Sequence, residues 1–544
     1  METLSLGDGH SILGAGVLNP AKQKLTSDEG GYNHWSSIDG LPEEILVLIF
    51  KLAESAPEDV PPCPEATAPF NVSQVSRRWR EIALNAPNIW TSIYATNPSA
   101  ISTLIARSRD CPLDIEFIPV KERRHMGTLG SSPRCLDMIR RPITFQSAAT
   151  TLCAHIHRWR SARLHELDVD NSANFLCSPA PRLEVFHAAR LPIPWERTTD
   201  FEREPISCFH NHTPRLRDLS LTQIQIPLTS PIYAGLEKLH LSSIFFKDTQ
   251  ATQFIQVLAA CPLLEELTVR EVSFSSLNHT GSQIIVSLPR LRSMNLDVAE
   301  HHARYLLAFI QAPAELVLSV VMNHMRTTPS IAPHFDAGAL ERFPGLARIH
   351  SINVEHDERA RCCAVVGTSS PPSEAEIFKI TYRARAREAI RWTLSDLGLR
   401  FPLPSLEHLA LSSFASGGLE ITTFVGVLEN LPTITSLALT DCPPSFIYAL
   451  RVDAGSYLVC PQLRRLWLEF RPPPDTQRLF EVIESRANSN RLSQSVLLAE
   501  ASAPLFHLTL RGSSVFDWEI VPKLQQLSVV VDWAKSGRKI SEFV

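Results

Sequence analysis

Two patterns of apolar positions divide the chain. Near the N-terminus, LPEEILVLIF (41–50) spreads apolar residues over roughly 200° of a helical wheel, whereas an amphipathic surface helix needs a stripe of about 100°. From about residue 160 onward, apolar residues recur as LxxLxL, which alternates as in a half-buried strand. The first pattern predicts a helix with more than one covering surface, and the second predicts a repeated strand.

The first helix is predicted from Pro42 to about Ala53. Proline suits a first helical turn, and Glu43 and Glu44 favour the positive end of the helix dipole. The helix is followed by segment 54–69, which holds five prolines and four acids and no basic residue. This segment predicts a proline-rich acidic loop.

A second helix is predicted from Asn71 or Ser73, either of which could cap it. Its apolar residues recur at helical spacing. They are Val72, Val75, Trp79 and Ile82. With an apolar tail that follows it, this helix completes a module over 41–94, which is small for a self-sufficient core.

The LxxLxL pattern occurs ten times after residue 160. The matches are 162–169, 214–221, 235–241, 262–269, 289–296, 404–411, 432–439, 461–468, 504–510 and 522–529. Their spacing is 27 to 29 residues within the runs led by Leu236 and Leu406, in the upper part of the leucine-rich-repeat period. Helix-like segments lie between them. We therefore expect an α/β fold in which parallel strands and helices form a curved, leucine-rich-repeat-like solenoid.

The predicted array departs from a regular leucine-rich-repeat pattern in two respects. The asparagine usual three residues after the motif is replaced by Ile224, Ile244, Val272, Phe414 and Cys442. Between 297 and 403 the period is interrupted, and an irregular inserted loop is predicted near 355–376. The predicted divisions are a flexible leader (1–36), a helical module (37–94), a connecting segment (95–159) and the array (160–535).

The helical module resembles an F-box. The residues that carry the resemblance are LPEEILVLIF (41–50), VSRRWREIAL (75–84) and APNIW (86–90), and the proline-rich insert between them resembles a variant common in mushroom-forming fungi. The resemblance implies docking on the Skp-type adaptor of a Skp-Cullin-F-box ubiquitin ligase and, through it, on a cullin. It assigns the adaptor contacts to Leu41, Pro42, Ile45, Ile49, Phe50, Val75 and Trp79. The alternative is that these residues form only the core of a helical hairpin packed on the array.

On each repeat strand the leucines should enter the core, so that the alternate residues line the inner wall. We expect this wall to bind a protein target. The candidate target-binding residues are Lys238, His240, Glu266, Asn295, Arg465, Trp467 and Glu469. Trp467, next to arginine and glutamate, is the strongest hot-spot candidate. Its alternative role is packing against a neighbouring strand or loop.

Composition narrows the function further. A net charge of -5 gives no general attraction to nucleic acid or anionic lipid, and we expect neither partner. Three arginines, Arg77, Arg78 and Arg80, are read as a solvated helix face. The chain lacks an apolar run near 18 residues and a secretory leader, so a cytoplasmic and/or nuclear protein is expected.

No enzymatic motif is present. Histidine pairs lack a third ligand at motif spacing, and the eleven cysteines include no CxxC, so we expect no metal, no cofactor and no catalytic residues. The function predicted is therefore a non-catalytic substrate receptor. The alternative is an interaction scaffold without ubiquitin transfer, and a hydrolase built on the array is a more remote one.

Overall fold

The structure is a computed structural model. It describes residues 38–54, 68–94, 98–117, 145–167, 176–190, 206–277, 285–322, 338–357, 362–370, 375–383, 391, 394, 397, 403–414, 419–452, 459–470, 474–487, 507–512, 519–527 and 529–535. The predicted leader (1–36) and residues 55–67 of the proline-rich insert lie outside these ranges.

The helices alternate with strands along most of the chain. They are α1 (Glu43–Glu54), α2 (Ala68–Val75), α3 (Arg77–Asn85), α4 (Pro98–Arg107), α5 (Phe145–Cys153), α6 (Ala251–Ala259), α7 (Glu300–Phe309), α8 (Ala339–Arg342), α9 (Ile421–Glu429), α10 (Pro444–Tyr448), α11 (Thr476–Ala487) and α12 (Ile520–Gln525).

The strands begin directly after the N-terminal helices. They are β1 (Ser92–Tyr94), β2 (Leu113–Phe117), β3 (Trp159–Leu167), β4 (Val185–Arg190), β5 (Asp218–Thr222), β6 (Lys238–Ser242), β7 (Phe245–Gln250), β8 (Glu266–Arg270), β9 (Ser273–Ser276), β10 (Val286–Ser287), β11 (Ser293–Asp297), β12 (Ile310–Gln311), β13 (Val317–Met322), β14 (Ser351–Asp357), β15 (Cys362–Thr368), β16 (Glu376–Arg383), β17 (His408–Ser412), β18 (Ser436–Thr440), β19 (Arg465–Phe470), β20 (His507–Gly512) and β21 (Val530–Lys535).

The predicted second helix is in fact two helices. Ser76 interrupts it in an extended conformation (φ -152°, ψ 169°), and its side-chain oxygen accepts a hydrogen bond from the Trp79 amide at 3.1 Å. This bond satisfies one of the amides left open at the start of α3. Ser73, predicted as a possible cap, lies inside α2 and donates to the Phe70 carbonyl instead.

Seventeen strands of the described residues form one sheet dominated by parallel pairings. Their spatial order is β1-β2-β3-β4-β5-β6-β8-β11-β13-β16-β15-β14-β17-β18-β19-β20-β21. Two pairs, β7 with β9 and β10 with β12, form separate small parallel sheets. The protein is therefore a mixed α/β structure with a helical N-terminal region.

The predicted core leucines are confirmed. Aligned positions on neighbouring strands are almost fully buried, for example Leu219, Leu239 and Leu267 at 0 to 1% exposure. The same holds for Leu437 and Leu466 in the C-terminal half. Each such side chain contributes roughly 1.5 to 3 kcal/mol by leaving water. The shared register follows from the alternation, because a one-residue slip would expose the whole leucine set.

A recurring turn replaces the missing asparagines. The residue before each substituted position has a positive φ. These residues are Gln223, Ser243, Glu271, Ser413 and Asp441, with φ between 50° and 67°. Each donates its backbone N–H to a carbonyl at the end of the next strand in the sheet, at 2.5 to 2.9 Å. The substituted residues that follow are buried. A backbone bond and an apolar anchor thus offset the cost of the left-handed conformation, about 1–2 kcal/mol per residue.

The irregular loop predicted near 355–376 is wrong for residues 355–357 and 362–368, which lie in strands. There β14, β15 and β16 form a meander in which β15 pairs antiparallel with both neighbours. Cys363 and Val365 alternate with less buried residues, as a strand requires. Gly367 is needed because a Cβ there would collide with the ring of Phe378 on β16. The meander reverses the strand order, so β14 lies next to β17 rather than β13.

The sheet also begins earlier than the predicted start of the array at 160. Its first two strands, β1 and β2, pair in parallel and join β3, so they belong to the sheet although they precede that boundary. The described residues of the predicted connecting segment 95–159 therefore include the strand β2 and the helices α4 and α5. At the other end, the motif at 522–529 lies partly in α12, and β21 starts at Val530.

Candidate docking surfaces

The buried face of α1 packs against the two helices that follow it. Leu46 and Phe50 are 0% and 1% exposed, and the ring centroids of Phe50 and Trp79 lie 4.9 Å apart. The sequence predicts an adaptor contact for Phe50, and the structure contradicts this, because the ring is enclosed within the helical module. Phe50 supports Trp79 from inside the module.

The opposite face of α1 exposes three apolar side chains. Ile45, Leu48 and Leu52 are 42%, 53% and 72% exposed. They are spaced i, i+3 and i+7, so they line one side of the helix, and we call them the α1 stripe. Val75, at the end of α2, is 61% exposed. Exposed apolar side chains grouped in this way are typical of interaction sites.

The other predicted adaptor residues occupy intermediate positions. Pro42 is exposed, whereas Leu41, Ile49 and Trp79 are partly buried and pack against the core. The indole nitrogen of Trp79 is buried and has no hydrogen-bond partner among the described residues. Truncation of Trp79 would therefore disturb packing as well as any contact with a partner.

Sequence reasoning missed two members of the α1 stripe. Leu48 and Leu52 lie within the helix predicted from Pro42 to about Ala53 but not among its predicted contacts. The signal was present, because both share with Ile45 the helical spacing that puts them on one side. What the sequence did not reveal is which side α2 and α3 cover.

Two of the three arginines beside this surface are engaged in fixing the helices. Arg78 donates to the carbonyl of Leu41 at 2.8 Å, and Arg80 donates to the carbonyl of Ser73 at 2.8 Å. Arg77 is exposed and forms an ion pair with a glutamate one turn later. These contacts account for the basic residues through the helical module itself.

Residues 38–96 match the F-box-like family. The matched region contains α1, α2, α3 and β1, and with them the α1 stripe and Val75. F-box domains bind Skp-type adaptors, and F-box proteins are typically non-catalytic adaptor subunits. No curated protein matches the chain.

The F-box-like domain is joined to the sheet through Trp90. This residue is fully buried, and its indole nitrogen donates to the carbonyl of Ala83 in α3 at 2.7 Å. The guanidinium of Arg107, at the end of α4, lies 4.4 Å from the Trp90 ring centroid. β1 begins two residues after Trp90. The buried residues of the domain and those of the sheet belong to one hydrophobic core.

The alternate residues on the sheet strands form a second surface, which we call the open face. Lys238 and Glu266 are exposed neighbours on β6 and β8, and their side chains pair at 2.5 Å. His240, two residues after Lys238 on β6, is half-buried. Its pKa is lowered mainly by burial and secondly by the charge of Arg270. Asn295 is exposed on β11, and it completes the first group of predicted target residues.

The second group lies on β19. Arg465 is exposed and Glu469 half-buried, but Trp467 between them is only 7% exposed. The guanidinium of Arg511, on β20, lies 4.4 Å from a ring of Trp467. Of the two roles predicted for Trp467, its burial beneath the Arg511 guanidinium favours packing against a neighbouring strand over direct contact with a target.

The two groups do not form one site. Seven strand-to-strand steps separate β11 from β19 in the sheet order, which is roughly 34 Å along the sheet at a spacing of about 4.8 Å. The antiparallel meander lies between them. A single small target segment cannot contact both groups, whereas an extended protein surface can.

Reactive chemistry is disfavoured where the structure describes the side chains. Burial raises the pKa of the thiols of Cys208, Cys442 and Cys460 to about 12, which leaves them protonated near neutral pH. Within the described ranges, no group of three or more histidine, cysteine or acidic residues could hold a metal ion. No helix in these ranges is both long and apolar enough to span a bilayer.

Proposed function

We propose that this protein is the substrate-recognition subunit of a Skp-Cullin-F-box type ubiquitin ligase. The observation that carries the proposal is the exposed α1 stripe within an F-box-like domain. Apolar side chains that stay in water cost free energy, and a docked adaptor would remove that cost. Leu41, Pro42, Ile45, Ile49, Val75 and Trp79 remain the proposed adaptor contacts, to which Leu48 and Leu52 are added.

We further propose that the sheet and its helices act as a leucine-rich-repeat-like solenoid whose open face binds a protein target. Strands aligned in parallel with buried leucines, and a recurring turn, support this assignment. Lys238, Glu266 and Arg465 offer charges of both signs on that face, which suits a protein better than a phosphate backbone.

The proposed mechanism is an increase in effective concentration. The F-box-like domain would hold the adaptor and its cullin, while the open face would hold the target near a ubiquitin-charged enzyme. The shared core around Trp90 supports this role, because a stiff connection restricts the volume that the target explores. The proposed site of action is the cytoplasm and/or the nucleus.

Affinity purification tests the ligase function. The full-length protein is recovered from cells treated with a proteasome inhibitor, and adaptor, cullin and accumulating proteins are quantified. We expect Ile45→Asp to abolish recovery of adaptor and cullin, whereas Leu263→Asp, at a site 40% exposed but far from the F-box-like domain in sequence, should retain both.

The alternative function is a scaffold that joins two proteins without ubiquitin transfer. It predicts recovery of partners that do not become ubiquitinated and do not accumulate when the proteasome is inhibited. A folded wild-type protein that recovers neither adaptor nor cullin would contradict the ligase proposal.

A further inference from the structure

A polar cavity of about 360 Å³ lies at the start of the sheet, beside the F-box-like domain. It is formed by the first four strands and the residues next to them. Its lining includes Ser92, Tyr94, Asp114, Glu116, Arg160, Ser161, Arg163 and Glu184. Its volume falls within the range of about 300–1,000 Å³ found for ligand sites. None of these residues belongs to the predicted target-binding set.

The register of the parallel strands explains why these side chains meet. Asp114 is aligned with Ser92 and Ser161, and Glu116 is aligned with Tyr94 and Arg163. Residues two apart on a strand point to the same side of the sheet, opposite the buried Ile115. The cavity is therefore part of the open face, at its end nearest the F-box-like domain.

Some charged side chains in the cavity are paired with each other and others are not. Arg160 forms a two-point hydrogen-bonded ion pair with Asp114. By contrast, neither Glu116 nor Arg163 has a side-chain hydrogen bond or ion pair with any described residue. Glu184 adds a third carboxylate near Arg160. Over the whole lining, three carboxylates stand against two guanidiniums, so the net charge of the cavity is negative and favours a cation.

A buried hydroxyl also points to a missing partner. Ser161 is 8% exposed, and its side-chain oxygen has no hydrogen-bond partner among the described residues. Buried polar groups in native proteins are nearly always hydrogen-bonded. Ser161 belongs to the lining of the cavity, so a ligand bound there would supply the missing partner.

We propose that the cavity binds a lysine or arginine side chain on an exposed segment of a protein target, which deepens the proposed receptor function and rests on it. Glu116 pairs with the cation. Ser161 forms a hydrogen bond with the polar groups of the same segment. The neighbouring backbone of that segment continues along the open face towards Asp218 and Lys238, which follow in the same register row.

The location gives this site a specific value for the proposed function. Ser92 and Tyr94, which form one wall, lie within the F-box-like match. A target anchored here is held at the end of the sheet closest to the adaptor. The distant Arg465 and Glu469 would then bind a separate part of the target rather than the same segment.

Binding of capped heptapeptides tests the inference. Three fluorescent peptides differ only at the central residue, which is lysine, glutamate or alanine, and each is titrated into the full-length protein by fluorescence polarisation. We expect the lysine peptide to bind at least about tenfold more tightly than the other two, since a charge-assisted bond is worth more than about 1.4 kcal/mol. Added salt should weaken it. Equal binding of all three, or a preference for glutamate, would overturn the inference.

Variants locate the binding. Glu116→Gln keeps the shape of the side chain and should reduce affinity for the lysine peptide to that of the alanine peptide. Ser161→Ala should weaken it less. Glu429→Gln, an exposed carboxylate on α9 outside the cavity, is the matched control and should change nothing. Unchanged affinity in Glu116→Gln would contradict the assignment.

Adaptor binding by the same samples separates this inference from the proposed function. If the adaptor binds and the lysine peptide shows no preference, the cavity assignment fails and the receptor function stands. If the adaptor does not bind, the receptor function fails, and peptide selectivity alone then decides whether the cavity is a cation site.

Discussion

The α1 stripe and the open face are both exposed, but they differ in how their groups are satisfied. Ile45, Leu48 and Leu52 present apolar carbon to water. On the open face, the Lys238 ammonium forms an ion pair with Glu266, and a ring nitrogen of His507 forms a hydrogen bond with Asp532 at 2.6 Å. Exposed polar and charged groups remain solvated at little free-energy cost, whereas a row of exposed apolar side chains is unfavourable in water. Under the proposed function, the adaptor should therefore bind mainly through apolar contacts and the target mainly through charged and polar ones.

The largest expected effect is on the free energy of unfolding, and it should leave adaptor docking unchanged. Leu437→Ala removes a fully buried side chain of β18 and should lower the free energy of unfolding by about 2–5 kcal/mol in urea denaturation. Ser436→Ala, on the open face of the same strand, should change it by less than about 0.5 kcal/mol. Adaptor affinity should be unaffected in both while the protein stays folded, and a loss in Leu437→Ala would show that the two regions are coupled.

An intermediate effect concerns the pH dependence of the sheet region. Burial, and then the charge of His301, lowers the pKa of His302 from 6.5 to about 4, and its side-chain nitrogen accepts the Phe274 amide at 3.3 Å. Between about pH 4 and pH 6.5, the His302 imidazole is therefore protonated in the unfolded chain and neutral in the folded chain. Stability from this group is present above about pH 6.5 and is lost towards about pH 4, by on the order of 1–3 kcal/mol.

The measurement is the free energy of unfolding in urea at pH 7 and pH 5. His302→Gln should show a smaller loss on acidification than the wild type, whereas His301→Gln, at an exposed position, should keep most of the wild-type loss. If acidification lowers the free energy of unfolding equally in the wild type and in His302→Gln, His302 is not the cause of the pH dependence.

The smallest expected effect is on the open face. Lys238→Ala breaks an exposed ion pair and should change stability by less than about 1 kcal/mol. Its effect on target binding should exceed its effect on stability, because the lysine is available to a partner that replaces Glu266. A large loss of stability would mean that the open face is structural rather than a recognition surface.

Much of the fold follows from local patterns. Nine of the ten motifs fall on parallel strands, because alternation with buried leucines identifies a strand and its face, and the first helix ends within a residue of its predicted limit. The strand β15 was missed because RCCAVVGTSSPPSEAE combines a short apolar stretch with turn residues. Its pairing is decided by distant partners in β14 and β16.

The sites were harder to predict than the elements. Helical spacing identifies apolar residues but not which of them neighbouring helices cover, so Phe50 was assigned to the surface and Leu52 was not. The sequence left Trp467 with two alternative roles, and the position of Arg511 on the next strand, over its ring, favours the packing role. The cavity at the start of the sheet depends on the pairing of β1 with β2, which no local pattern specifies.

The central claim is that the α1 stripe docks a Skp-type adaptor. The most direct measurement is isothermal titration of the purified adaptor into the full-length protein, comparing the wild type with Leu52→Asp and with Leu263→Asp, both at exposed leucines. We predict micromolar or tighter binding by the wild type and by Leu263→Asp, and a loss of at least about 2 kcal/mol in Leu52→Asp with unfolding unchanged. Equal affinity in all three proteins, or no binding by the folded wild type, would contradict the claim.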